Sequence, residues 1–197
     1  MSSTAVHRAI PALVDALTDN VFYRTILVEH QGDEAHRAAL ARYMAYSVEE
    51  AARTGRVVPT PDPADGAALW LLPRPGDVEA REHAAKHAFL RDLLGRRGYA
   101  TYLRIAGFMH ERAEPVIPGD AWYLSILGVR PDAQGQGLGW RLIAPTLAEA
   151  DAAGVPAWLE TFTTAAARFY ERVGFRLIAW HDEPTTGQPY AILRRDP

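Results

Sequence analysis

The segment GVRPDAQGQGLGWRL, Gly128 to Leu142, places four glycines and two glutamines in fifteen residues. An apolar run, AWYLSILGV, leads into it, and an Ala- and Leu-rich stretch leaves it. A strand, a glycine turn and a helix in that order make an anion cradle. The free N–H groups of a helix's first turn point one way, and the helix dipole adds partial positive charge there. Glycines let the backbone approach the bound group closely. Gln134, Gly135, Gln136, Gly137, Leu138 and Gly139 are therefore expected to hold phosphate. A dinucleotide fingerprint would need glycine where Trp140 stands, and a P-loop would need a lysine that is not there. The pattern left is Q-x-x-G-x-G, on Gln134, Gly137 and Gly139. It suits a pyrophosphate used as a handle better than γ-phosphate chemistry. The alternative is a glycine-rich turn that only connects two elements.

Other reactive patterns are sparse. HAAKH puts His83 and His87 at i and i+4 on one helix, which is metal-ligand spacing. No third ligand accompanies them, so a solvated helix face is expected and no metal. The chain has no Cys. That excludes disulfides, thiolate metal sites and a thiol-linked acyl-enzyme.

The elements that must carry these residues follow from periodicity and punctuation. Helices are expected over 9–28, interrupted near Asp19 and Asn20, and over 34–54, where Leu40, Tyr43, Met44 and Val48 share a face. RVVPT (56–60) and AALWLLP (67–73) read as a hairpin. Helices follow over 77–95 and 99–113, with Phe89, Leu90, Leu93 and Leu94 as a core stripe or a pocket wall. The central strand is Ala121–Val129. After the glycine turn come a helix over 138–153, kinked at Pro145, and a strand over 155–161. A short helix over 165–173, with Thr163 or Thr164 as its N-cap, precedes strands over 175–181 and 189–195. The class is α/β, or α+β, built in layers.

With 197 residues, 48% of them hydrophobic, the chain is long enough for one full core, and a single domain spanning 1–197 is expected. The net charge of −3 gives no reason to expect nucleic acid or an acidic membrane as partner. No run approaches the roughly 18 apolar residues of a membrane span, and no signal peptide is evident. The expectation is a soluble, cytoplasmic protein.

Taken together, AWYLSILGVRPDAQGQGLGWRL, AGVPAWLET and RFYERVGF resemble the Gcn5-related N-acetyltransferase (GNAT) superfamily. The wording is similar to a bacterial branch that includes puromycin N-acetyltransferase. The resemblance is strong over about residues 110–195 and poor before residue 66. It implies a mixed, twisted sheet splayed beside its central strand, with flanking helices. It also implies a variable acceptor-binding half (1–115) and an acetyl-CoA-binding half (116–197). Acetyl-CoA would be the co-substrate, with its pyrophosphate on Gln134–Gly139 and its pantetheine arm beside Leu127, Gly128 and Val129. Tyr170 would be the general acid that protonates the departing thiolate, because a phenol is a neutral donor at pH 7. Phe169 would pack near the cofactor.

The chain departs from the family in two places. Asn is missing between LET and FYER, so Thr163 or Thr164 would make that contact. The family's first strand has only MSSTAVHRA to match it.

The attacking amine must lose a proton. Glu160 and His110 are the favoured bases, among Glu111, Glu114 and Asp120, and a water relay could replace them. Glu49 and Glu50 could attract a cationic amine, although a charged helix end explains them as well. Trp70, Tyr99, Tyr102, Phe108 and Trp122 are candidates for an apolar pocket. The function expected is direct transfer of acetyl from acetyl-CoA to a small primary amine, an antibiotic or metabolite, in a ternary complex. The alternatives are a protein Lys or N-terminal acetyltransferase, which needs an open groove, and a non-catalytic CoA-binding module. Dimers are common in the family, so a second copy of the chain is among the expected partners.

Overall fold

A computed structural model describes residues 7–62 and 64–197. The ragged first strand suggested for MSSTAVHRA falls on residues 1–6, outside the described residues, and on His7–Ala9, which are helix and turn.

Among the described residues the first long elements are α1 (Ile10–Leu17), α2 (Val21–Ile26) and α3 (Asp33–Thr54). The break expected at Asp19-Asn20 is there because Asn20 turns extended and its side chain accepts from Phe22 N, capping α2. Hairpin β1 (Gly55–Pro59) and β2 (Gly66–Leu71) follows, then α4 (Gly76–Ala113), β3 (Trp122–Val129) and a 3-10 turn (Pro131–Ala133). The second half is α5 (Leu138–Ala153), β4 (Ala157–Thr161), α6 (Thr164–Arg172), β5 (Arg176–Glu183) and β6 (Gln188–Arg195). The six strands form one mixed sheet in the order β1-β2-β3-β4-β6-β5. One core lies between the sheet and α1–α4, around Leu13, Leu40, Met44, Leu94 and Ile126. The other lies against α5 and α6, around Trp70, Leu124, Ile143, Leu147 and Tyr170.

The two helices expected over 77–95 and 99–113 are the two parts of α4, divided by a sharp break at Gly95 (φ 65°, ψ −174°). Side chains from the loop after α2 satisfy both sides of the break. His30 Nε2 sits 2.8 Å from the Leu93 carbonyl before it, and the Glu29 carboxylate accepts from Arg97 N and Gly98 N after it. Here a distant carboxylate replaces a local N-cap, and its charge suits the positive helix start.

Gly98 lets α2 come close: a Cβ there would lie 2.4 Å from the Ile26 carbonyl oxygen. In an open helix, Gly98→Ala would stabilise by about 1 kcal/mol. Against an immovable carbonyl the clash wins, and a net loss of about 1–3 kcal/mol is expected. Urea unfolding should show a lower midpoint at unchanged slope.

One feature of β3 was not anticipated. Its register against β2 slips between Leu69 and Trp70, which pair with Ile126 and Leu124 and leave Ser125 as an extra residue. Such a bulge reverses the alternation of side chains. Leu124 and Ile126, which would share a face in a regular strand, lie in opposite cores.

Candidate active site

The site begins where two parallel strands part. β3 and β4 pair only at Trp122↔Ala157 and Tyr123↔Trp158, with Trp122 N donating to the Pro156 carbonyl at 2.8 Å. Beyond the bulge they diverge, leaving a cleft of about 440 Å³. Leu124 to Leu127 line one side, and Trp158, Glu160 and Thr161 line the other. Phe22, Tyr23, Tyr43, Tyr102 and Met109 border it from the helices.

Glu160 is the most constrained charged group there. Tyr123 donates to its Oε2 at 3.0 Å, and Tyr190 donates to its Oε1. Burial pushes the Glu160 carboxyl up from the ordinary carboxylate range, and the bonds from Tyr190 and Tyr123 and the nearby His110 pull it only part of the way back. Burial and the adjacent carboxylate push both phenols up, so they stay protonated donors. The arrangement fixes both carboxylate oxygens and makes the carboxylate a stronger base than an exposed one.

His110 also borders the cleft, but its side chain is 74% exposed and pairs with Glu114 at 3.8 Å. Glu111 and Asp120 are exposed as well. Of the carboxylates weighed as bases, Glu160 alone lines the cleft.

Tyr170, on α6, lines the cleft from the far side of β4 and is only 9% exposed. Its ring meets Phe169 at 5.1 Å and Phe175 at 5.8 Å, both edge-on. Burial pushes its hydroxyl well above the usual phenol range, so it remains neutral. Phe169 faces away from the cleft onto the start of α5, where a Cβ on Gly139 would lie 3.1 Å from its ring. Thr163 caps α6, accepting from Ala166 N at 3.2 Å, and borders the cleft; Thr164 is exposed.

In the glycine loop, Gly135 (φ 78°) and Gly137 (φ 76°) are left-handed. That backbone requirement explains both glycines, since a Cβ at either would meet nothing within 4 Å. α5 starts on Gly137 without a capping side chain, so the first-turn amides from Leu138 onward remain available. Gln134 turns its amide back to the Val129 carbonyl at 2.9 Å, tying the loop to the end of β3; Gln136 is exposed.

Leu127 borders the cleft. Gly128 instead faces α1, where a Cβ would be 2.8 Å from a Leu13 methyl, and Val129 packs into the core against α5 and α6.

The other sequence candidates divide. Tyr102 lines the cleft, whereas Trp70 is wholly buried in the core. Leu90, Leu93 and Leu94 are core, and Phe89 stacks on Tyr46 at 4.2 Å. His87 bonds Tyr99 at 2.7 Å. Among the described residues, no group of three or more His, Asp or Glu is placed to hold a metal. The same residues include no helix long and apolar enough to cross a membrane.

Tyr123, Tyr190, Tyr23, Tyr43 and Lys86 belong to the cleft or its floor but were not singled out in the sequence as site residues. In the sequence, Tyr123 and Tyr190 are alternating strand residues and Tyr43 is one of a core-facing helical set.

The fold is a six-stranded mixed sheet whose parallel strands β3 and β4 part beside a cleft, followed by a helix that starts without a side-chain cap. Residues 95–177 match the family described as acetyltransferase (GNAT) domain. A histone acetyltransferase HPA2-related acetyltransferase from Corynebacterium glutamicum has the same fold: TM-score 0.69 and 21% identity, covering 100% of this chain and 93% of that one. The polyamine N-acetyltransferase of Drosophila melanogaster, which forms N-acetylagmatine, is similar at TM-score 0.57 and 16% identity, over 78% of this chain and 80% of that one. A Pyrococcus horikoshii protein matches at TM-score 0.57 and 13% identity, over 100% and 93%.

Proposed function

We propose that the protein transfers acetyl from acetyl-CoA to a primary amine of a small molecule by direct attack in a ternary complex. The observation that carries this reading is the split between β3 and β4. It opens a slot beside a strand edge, with Glu160 on one side and Tyr170 on the other. The free amides from Leu138 onward would hold the pyrophosphate at the mouth, and the edge of β3 would align the pantetheine arm.

In the reaction the acceptor's ammonium passes one proton to Glu160, the neutral amine attacks the thioester carbon, and the nitrogen of the tetrahedral adduct sheds its second proton to solvent. The C–N bond forms, the C–S bond breaks, and the sulfur takes a proton from Tyr170. Solvent returns the proton from Glu160 to Tyr170. Backbone N–H groups of β3 near Leu127 would stabilise the oxyanion.

A small acceptor suits a cleft of about 440 Å³ bordered by helices and strands together, within the usual range for small-molecule sites. A protein acceptor would need an open groove. The polyamine enzyme of the same fold acts on a small amine, which supports the same reading. The similarity of Trp122–Gly139, of LET and of the FYERVGF segment to the puromycin N-acetyltransferase branch favours the same kind of acceptor.

The test is thiol release from acetyl-CoA with a panel of amines, peptides and aminoglycoside- or nucleoside-type antibiotics. Turnover with small amines and none with peptides is the expected result. Preference for a peptide would overturn the small-molecule reading. Coenzyme A binding without turnover of any amine would favour a non-catalytic module.

A further inference from the structure

The chain's one lysine, Lys86, lines the cleft. It stands on the first segment of α4, before the break at Gly95. Aromatic rings in contact run along the cleft: Tyr43 to Tyr23 at 5.1 Å and Tyr23 to Phe22 at 5.2 Å, both edge-on, Phe22 stacked on Phe162 at 6.1 Å, and Phe162 tilted against Tyr190 at 5.6 Å. The cleft is thus walled by aromatic rings and lined by both a carboxylate and an ammonium.

Lys86 is held in place: its Nζ lies 2.9 Å from Glu50 Oε2. The Glu50 side chain is 8% exposed and that of Lys86 22%, and Lys86, not Glu50, lines the cleft. A ligand therefore meets the cation first. An ammonium has three N–H donors, and Glu50 occupies one of them. Burial, then His83, Lys86 and Arg91, lower the His87 pKa below its ordinary value.

We infer that the acceptor pocket contains a specificity subsite in which Lys86 binds a carboxylate or carbonyl oxygen and repels a second ammonium, so that the acceptor is an amine with an oxygen-bearing, non-cationic tail. This deepens the proposed function and rests on the cleft being the acetyl-transfer site. Glu50 acts as a positioning residue: it fixes the Lys86 ammonium in place. A polyamine would place like charge on Lys86, which such sites use to reject ligands.

Three eight-carbon amines test this: 8-aminooctanoate, octylamine and 1,8-diaminooctane. Each is assayed by thiol release from acetyl-CoA and titrated calorimetrically against protein saturated with coenzyme A. The expected order of kcat/KM and of affinity is amino acid, then monoamine, then diamine, with about tenfold or more between the first and last.

Lys86→Met alone would leave Glu50 buried without its partner and could unfold the chain. The double variant Lys86→Met/Glu50→Gln removes both charges at similar volume and should bring the amino acid and the diamine to within about threefold. A diamine equal to or better than the amino acid in the wild type overturns the inference, as does a ratio unmoved in the double variant or failure of all three amines to bind. Failure of acetyl-CoA to bind overturns the reading beneath it, and the amine titrations on the free protein then still decide whether Lys86 selects the tail.

Discussion

Replacing Tyr170 with Phe should lower kcat by about 10²–10⁴-fold, the usual weight of a general acid, and leave the affinity for acetyl-CoA within about twofold. The asymmetry follows from where the hydroxyl lies. Tyr170 is buried on α6 at the wall of the cleft, and its ring packs edge-on against Phe169 and Phe175. Phe keeps every ring contact and removes one oxygen. Burial lifts the phenol's pKa, which taken alone makes it a poorer acid. The same low-polarity surroundings penalise a thiolate, so the leaving sulfur becomes a stronger base as the donor becomes a weaker acid. The phenol is never ionised in the working range, and a proton is available at every turnover. Steady-state kinetics with calorimetric titration of coenzyme A separates the two effects. Unchanged kcat removes Tyr170 from the chemistry, and a parallel loss of coenzyme A affinity makes its role structural.

The sequence carries this site unevenly, and the reason is range. The glycine loop is legible because its demands are local: left-handed backbone at Gly135 and Gly137 and a helix that starts without a cap. The RFYERVGF helix and the LET strand are equally plain, with Thr163 as cap and Glu160 near the strand end. The clamp on Glu160 is not legible. Tyr123 is 37 residues away and Tyr190 is 30, and only the packing of β3, β4 and β6 brings their hydroxyls together. The bulge at Ser125 also leaves no mark. It contains neither Gly nor Pro and exists because β3 must satisfy β2 across a slipped register.

The helical side of the cleft is hardest to read. Tyr43 has the spacing of a core residue, and it is one; it also faces the cleft. The break at Gly95 shows the same limit. The glycine was visible, but the residues that staple it, Glu29 and His30, lie in a loop more than 60 residues away.

Glu160→Gln should cost activity and gain stability at neutral pH, a combination that separates a working base from a structural carboxylate. The raised pKa fixes the sign. A carboxyl whose folded pKa lies above its unfolded one contributes stability in full below the unfolded value and loses it as pH rises through the folded value. For Glu160, burial sets that upward direction, so at pH 7–8 its charge opposes folding. Gln removes the charge and still accepts from one tyrosine while its amide donates to the other. Thermal unfolding at pH 8 should give a Tm equal to or above the wild type, whereas kcat falls by about 10²–10⁴-fold. In the wild type, kcat should rise with pH on a limb whose midpoint lies above the ordinary carboxylate range, because the amine's proton needs an ionised acceptor. Tyr190→Phe removes a bond that favours the carboxylate, so that limb should move to still higher pH. A limb that stays in place in Tyr190→Phe, or persists in Glu160→Gln, means that another group takes the proton. The exposed His110 at the rim of the cleft is then the residue to replace.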